Sequence, residues 1–400
     1  VLALLLTARL ARRLAPHHSG APLTAALLLG GTLAFQAYSG FLLFDLWLGV
    51  FVLAAWLALL RAIPTHAESP LPTIRAQFGA WMLFACATGA ALLTKGPAAL
   101  LLILPPALLH PWWAARRPQA AARWIGITAA ALLGCAIVLA WAIPAARAGG
   151  EEYGRAILWG QTAGRLHDSF AHDRPLWWYF AILPLMLLPW PLLPRIWRRF
   201  ARTEARALTR FGLLAFVPAL LGFTFISGKQ PHYLLPLLPA LALLGAARLD
   251  LRAEPRVLRS VARWALLMPL LCAAANLGFS IGFRTQWDLS PAARDFAQAE
   301  AQGRPAAFFG MAYHGQFHWL GRLTQPIADP PDFEGMRAWM KDHPQGLVAL
   351  VLPRDGEETL RKDAEAVREF GSRQLALWRA SYLATRWPPT TADPAGPAAR

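Results

Sequence analysis

Apolar runs long enough to cross a bilayer fill the first 283 residues and leave few ways for them to fold. Val1 to Leu6 reads as the tail of a helix that ends at Arg9, Arg12 and Arg13. Further runs lie at about 22–41, 43–60, 78–94, 98–114, 124–144, 176–194, 211–227, 233–248 and 262–283. Each has about 17–22 residues, enough for a hydrocarbon core of about 30 Å. Lipid offers the backbone no hydrogen bonds, so such runs become helices. The expected fold class is therefore a polytopic α-helical membrane protein with about ten visible spans. The chain is 56% hydrophobic with mean hydropathy +0.36, and its net charge of +16 is read first as topology, with no nucleic-acid partner expected. Cys86, Cys135 and Cys272 all lie inside apolar runs and read as small buried hydrophobes. The chain opens at Val1 within an apolar run and is read as N-terminally incomplete, with no recognisable signal peptide.

Arginine gives the sidedness. Clusters at 9–13, 61–75, 116–123, 195–210 and 248–263 occupy alternate connections, which the positive-inside rule makes cytoplasmic. The other connections hold Asp45, Lys95, the polar stretch 148–175 and Lys229 to Tyr233. All of these are then expected on the extracytoplasmic face. Only four lysines (95, 229, 341, 362) stand against thirty-five arginines, and two of them fall in these connections.

Asp45 and Glu68 are the only acids before residue 150, and Asp45 alone adjoins two spans. A carboxylate there is costly unless paired or used, although it could simply cap the following helix. Lys95 ends one span, and Gly96-Pro97 breaks the helix after it. An ammonium at that edge can meet a lipid phosphate as a point charge, or merely snorkel to water. Arg165 and Arg174 can fork onto phosphate oxygens. His167, Asp168, His172 and Asp173 could hold a divalent ion, but their spacing matches no specific metal pattern, and no metal ligand set is assigned. Trp177 and Trp178 read as interfacial anchors. Lys229-Gln230-Pro231-His232-Tyr233 opens another span, where Tyr233 can donate to an anion; Pro236 and Pro239 would bend that helix or free carbonyls.

From Arg284 the charge is ordinary and the elements are short. Pro305 to Met311, Gly346 to Leu352 and Leu375 to Arg379 read as strands, and Phe333 to Lys341 and Glu357 to Phe370 as amphipathic helices. This gives a transmembrane region at 1–283, a small extracytoplasmic α/β domain at 284–386, and an expected disordered tail at 387–400. His314 and His318, four apart, lack a third ligand and read as ordinary surface or core histidines.

Four of these stretches together resemble the GT-C membrane glycosyltransferases, in the bacterial branch of the lipid A aminoarabinose transferase and the relatives of protein O-mannosyltransferases. They are the Asp45 junction, Leu93-Thr94-Lys95-Gly96-Pro97, the segment from Trp159 through Arg165 to His172-x-Arg174-Pro175-x-Trp177-Trp178-Tyr179, and Ser227-x-Lys229-x-Pro231-His232-Tyr233-x-Leu235-Pro236-x-x-Pro239. The resemblance covers roughly residues 1–283. It implies transfer of a sugar, hexosyl or pentosyl, from a polyprenyl-phosphate carrier to a lipid, glycan or protein acceptor at the extracytoplasmic face of the inner membrane. It implies that Lys95, Arg165 and Tyr233 hold the carrier phosphate, with Arg174 a rival to Arg165 and with Lys229 and His232 beside them. Asp45 then corresponds to a second, supporting carboxylate, the main catalytic acid lying upstream in the family. A divalent ion occurs in some relatives; nothing in this sequence fixes one as a cofactor. An extra residue, Gly228, separates Ser227 from Lys229 and departs from the family's Ser-Lys pattern.

Two other classes compete. A flippase of lipid-linked sugars would favour repeated halves and polar pairs at mid-membrane. A catalytically inactive scaffold would keep the helices and lose the acids.

Overall fold

The computed structural model describes residues 1–66, 68–115, 120–157, 174–198, 206–226, 228–249, 255–354 and 361–386. They form two compact units, Val1–Ala273 and Ala274–Arg400.

The first unit is a helical bundle. Its elements are α1 (Leu2–Leu14), α2 (Ala21–Gly30), α3 (Leu33–Ser39), α4 (Phe44–Ala62), α5 (Ile74–Lys95), α6 (Ala98–Leu108), α7 (Ala120–Ala148), α8 (Gly150–Arg155), α9 (Trp178–Met186), α10 (Pro194–Arg198), α11 (Arg206–Phe225), α12 (Leu238–Leu249) and most of the long α13 (Pro255–Gly282), whose last turns belong to the second unit. Six helical stretches among the described residues are long and apolar enough to span a membrane, and a seventh span results if the bent pair α2–α3 is counted as one. The other expected spans take shorter forms. The run at 98–114 holds an eleven-residue helix whose last turns contain Pro105 and Pro106. The run at 176–194 stops at Met186, where the Leu188-Pro189 cis peptide and a 3-10 turn at Trp190–Leu192 follow. Prolines that cannot donate to a helix end these segments early. As expected, α1 ends among its arginines, with Arg12 and Arg13 in its last turn.

Breaks inside an apolar bundle require substitute hydrogen bonds. The 60° bend between α2 and α3 has them. Thr32 Oγ1 donates to the Leu28 carbonyl at 2.7 Å, Leu33 N–H donates to Leu188 O at 2.7 Å, and Trp190 Nε1 donates to Leu28 O at 2.8 Å. Helices α5 and α7 approach closely because glycines face each other's neighbours: a Cβ on Gly89 would sit 3.1 Å from Gly134 O, and one on Gly134 would sit 3.0 Å from Ala85 O. Much of α7 and α13 is bare apolar surface, with only 22% and 11% of their most apolar windows buried, as suits helices facing lipid.

The second unit carries a five-stranded sheet in the order β2-β1-β3-β5-β4 (Ile327–Ala328, Ala306–Phe309, Leu347–Pro353, Arg373–Arg379, Ala366–Phe370). β1 runs parallel to β2 and β3, and β5 runs antiparallel to β3 and β4. Helices cover both faces: Phe296 of the helix Ser290–Ala301 packs on one, Met336 and Met340 of the helix Phe333–Asp342 on the other. This double cover explains the unbroken apolar run Leu347–Leu352. The amphipathic helix expected at Glu357 to Phe370 is a correction: Ala366–Phe370 is strand β4. Gly371, at φ 63°, turns it directly into β5, so pairing along a sheet edge overrides a local pattern that suits a helix. Residues 355–360 and the tail 387–400 lie outside the described residues.

Candidate functional site

The site arises where three helix connections meet at one end of the first unit. Antiparallel packing of α4 against α5 puts the start of one beside the end of the other. Asp45 therefore lies in the first turn of α4 and Lys95 in the last turn of α5, each where the helix dipole favours its charge. Their side chains form an ion pair through Asp45 Oδ1. Asp45 is only 4% exposed. His232 Nε2 approaches its other oxygen, Oδ2, at 3.7 Å. Both carboxylate oxygens thus face basic groups.

Tyr233 supports the same ammonium from below. Lys95 Nζ lies 3.9 Å from the centre of its ring, within cation–π range. The rings of His232 and Tyr233 meet edge to face at 4.8 Å. These residues are delivered by a seven-residue 3-10 segment, Pro231–Leu237, longer than such helices usually run. Pro231 starts it, Pro236 cannot donate within it, and the α-helix proper resumes only at Leu238. The proline-rich motif thus replaces the first turns of the span with 3-10 structure.

Lys229 is buried, at 3% exposure, and donates from Nζ to the Arg174 carbonyl at 2.8 Å. Its ammonium ties the Gly228–Pro231 stretch to the approach into α9. The Arg174 guanidinium itself is exposed and sits 5.9 Å from the Trp178 ring centre. Two further residues join this end that sequence reasoning did not single out as site residues. Tyr179 is fully buried and donates to Gln230 O at 3.3 Å. Tyr38, at the end of α3, stands 6.2 Å from the His232 ring. Tyr179 belongs to a quoted motif and was legible; Tyr38 is one of several polar residues in its apolar run, beside Gln36 and Ser39, and nothing in its spacing singles it out.

Asp45, Lys95, His232 and Tyr233 thus form one cluster, with Lys229 and Arg174 as a linked pair. Trp159, Arg165, His167, Asp168, His172, Asp173 and Ser227 lie outside the described residues. Among the described residues no group of three or more His, Cys, Asp or Glu side chains could hold a metal ion. In the second unit His318 is occupied by Tyr313 Oη at 2.7 Å and Gln325 O at 3.2 Å.

Gly96 makes the cluster possible. It sits at φ 63°, ψ −153°, a conformation essentially restricted to glycine, and turns the chain out of α5 straight after Lys95. An added Cβ would meet nothing within 4 Å, so only backbone strain opposes a side chain. Gly96→Ala is expected to destabilise the protein by about 1–3 kcal/mol. Thermal unfolding in detergent checks this, and an unchanged midpoint would contradict it.

No protein-family model matches the chain. It is 34% identical over 207 residues to the undecaprenyl phosphate-alpha-4-amino-4-deoxy-L-arabinose arabinosyl transferase 1 of Pseudomonas fluorescens, covering 50% of this chain and 34% of that protein. It is 32% identical over 257 residues to the corresponding transferase of Edwardsiella ictaluri, covering 62% of this chain and 43% of that protein. These alignments span less than half of the relatives' lengths. The crystal structure of apo ArnT from Cupriavidus metallidurans superposes with a TM-score of 0.71 over 95% of this chain and 82% of that one, at 16% identity. The chain has the GT-C membrane fold and is a sequence relative of the ArnT transferases. The same Cupriavidus protein bound to undecaprenyl phosphate superposes with a TM-score of 0.68 at 17% identity. The fold likeness extends over nearly the whole chain, including the sheet-bearing unit, whereas the sequence likeness covers about half of it.

Proposed function

We propose that this GT-C protein is a glycosyltransferase that moves a sugar from a polyprenyl-phosphate carrier to an acceptor at the extracytoplasmic edge of the bacterial inner membrane. The observation that carries the reading is the convergence of Lys95, Asp45, His232 and Tyr233 from separate connections at one end of the bundle. The named activity of the arabinosyl transferases, and the undecaprenyl phosphate held by the Cupriavidus ArnT, support 4-amino-4-deoxy-L-arabinose as the sugar and undecaprenyl phosphate as its carrier. The sequence resemblance adds lipid A as acceptor. The alternation of arginine-rich connections supports the extracytoplasmic assignment of the site.

The chemistry asks for cations. As the bond between the anomeric carbon and the phosphate oxygen breaks, its electron pair passes to the departing phosphate. The acceptor hydroxyl bonds to the same carbon and gives up its proton to a base. Fixed positive groups at the leaving oxygen stabilise the charge that develops there. Lys95 supplies one such group, oriented by Asp45 on one side and by the Tyr233 ring on the other. Tyr233 Oη supplies a neutral donor, and Arg174, exposed before α9, supplies a second cation; the resemblance offers Arg165 as its alternative.

The test uses the full-length protein in membranes with a radiolabelled undecaprenyl-phosphate aminoarabinose donor. Release of free undecaprenyl phosphate is the expected result, with Tyr233→Phe cutting turnover by about tenfold, equivalent to about 1.4 kcal/mol in the barrier. Labelled lipid that crosses the bilayer without being consumed would overturn the proposal in favour of a flippase.

A further inference from the structure

A second constellation lies at the opposite end of the same bundle. There the end of α1, the α4–α5 connection, the turn after α6 and the start of α11 enclose a cavity of about 340 Å³. Its polar lining is His17, His18, Thr65, His66, Arg206 and Arg210. Among the described residues no Asp or Glu lines it. Trp112, Trp113 and Leu14 give the remaining wall an apolar character.

The cavity is built by hydrogen bonds that cross between distant segments. Thr65 Oγ1 donates to Arg13 O at 3.2 Å, Ala115 N–H donates to Pro64 O at 3.0 Å, and Arg210 Nη1 donates to Trp112 O at 2.8 Å. The His17 and His66 rings meet edge to face with centres 6.0 Å apart. His66 Nε2 is buried without a hydrogen-bond partner among the described residues. The imidazoles do not converge as a metal set. Two guanidiniums and three imidazoles, with no acid among the described lining residues, suit an anion, and planar guanidinium forks fit phosphate oxygens best. The indoles and Leu14 suit the glycerol and first methylenes of a lipid.

We propose that this cavity binds a phosphate group, distinct from the substrate of the Asp45 edge, as a second anion site at the other face of the membrane. The phosphate can come from an anionic phospholipid headgroup or from a soluble phosphate; the lining chemistry is the same. The site is independent of the transferase reading.

Native mass spectrometry of the full-length protein in mild detergent tests it, with added phosphatidylglycerol or inorganic phosphate. The wild type is expected to retain phosphatidylglycerol, and Arg206→Ala with Arg210→Ala to lose it at least tenfold. Arg9→Ala with Arg12→Ala removes the same charge from the same end, outside the cavity lining, and is expected to retain it. If millimolar inorganic phosphate displaces the lipid from wild type, or binds where the lipid does not, the ligand is a soluble phosphate. Should the alanine pair fail to fold, Arg206→Gln with His66→Leu repeats the test while keeping the Arg210 bond to Trp112. Equal loss in the cavity and control pairs, or no loss in either, overturns the proposal.

Discussion

Lys95→Ala is expected to lower donor turnover by about 100-fold or more, the scale of removing one fixed donor from a developing oxyanion. The reason lies in how the ammonium is held. Asp45 pairs with it, and the Tyr233 ring lies 3.9 Å beneath it, so the charge is oriented before substrate arrives. Removal has a second consequence, because Asp45 is buried and loses its main counter-ion. Breaking such a pair costs on the order of 3–5 kcal/mol in stability, less here because the Lys95 side chain is 19% exposed. Lost activity could therefore reflect lost protein. Asp45→Asn combined with Lys95→Ala separates the two, since it removes the orphaned charge. Its thermal midpoint is expected to recover towards wild type while turnover stays low. Near wild-type turnover in a folded Lys95→Ala protein would remove Lys95 from the chemistry.

Lys229→Met is expected to lower turnover about 30-fold, or about 2 kcal/mol in the barrier. Lys229 is almost wholly buried and spends a hydrogen bond on the Arg174 carbonyl. That bond fixes where the segment bearing Arg174, Trp177 and Trp178 enters the bundle, so its loss moves the phosphate-facing side of the site. A methionine of similar length keeps the packing and abandons the bond. The effect is expected in kcat more than in KM if Lys229 positions groups that act in the transition state, and in KM if it binds the carrier directly. Steady-state kinetics with the lipid-linked donor distinguish these, and unchanged values of both would leave Lys229 a packing residue. The extra Gly228 falls just before this lysine, and the short bridge to Arg174 is what the shifted ammonium reaches.

The bundle was legible because lipid removes alternatives: an apolar run of about 20 residues has to form a helix. The strands at Ala306–Phe309, Leu347–Pro353 and Arg373–Arg379 were legible for a similar reason, since short unbroken apolar runs need cover on both faces. Ala366–Phe370 was not, because its helical pattern loses to hydrogen bonds that β5 offers from across a glycine turn. The shortened helices at Ala98–Leu108 and Trp178–Met186 also escaped the sequence, where hydropathy averages over prolines that the backbone cannot ignore.

The site divides the same way. Which residues belong to one end followed from the sequence, since each connection between spans must emerge on one side or the other. What the residues do to one another did not. That Asp45 holds Lys95 and faces His232, that Lys229 turns to a backbone carbonyl, and that Tyr38 arrives from a bent helix depend on side-chain directions. The cavity of histidines and arginines at the other end follows no spacing at all, because its walls come from four connections spread over nearly two hundred residues. The sequence by itself determined the helices and the end at which each connection lies, because burial in lipid is decided residue by residue. Only the tertiary structure decided the pairings, because a contact between side chains depends on how separate helices pack.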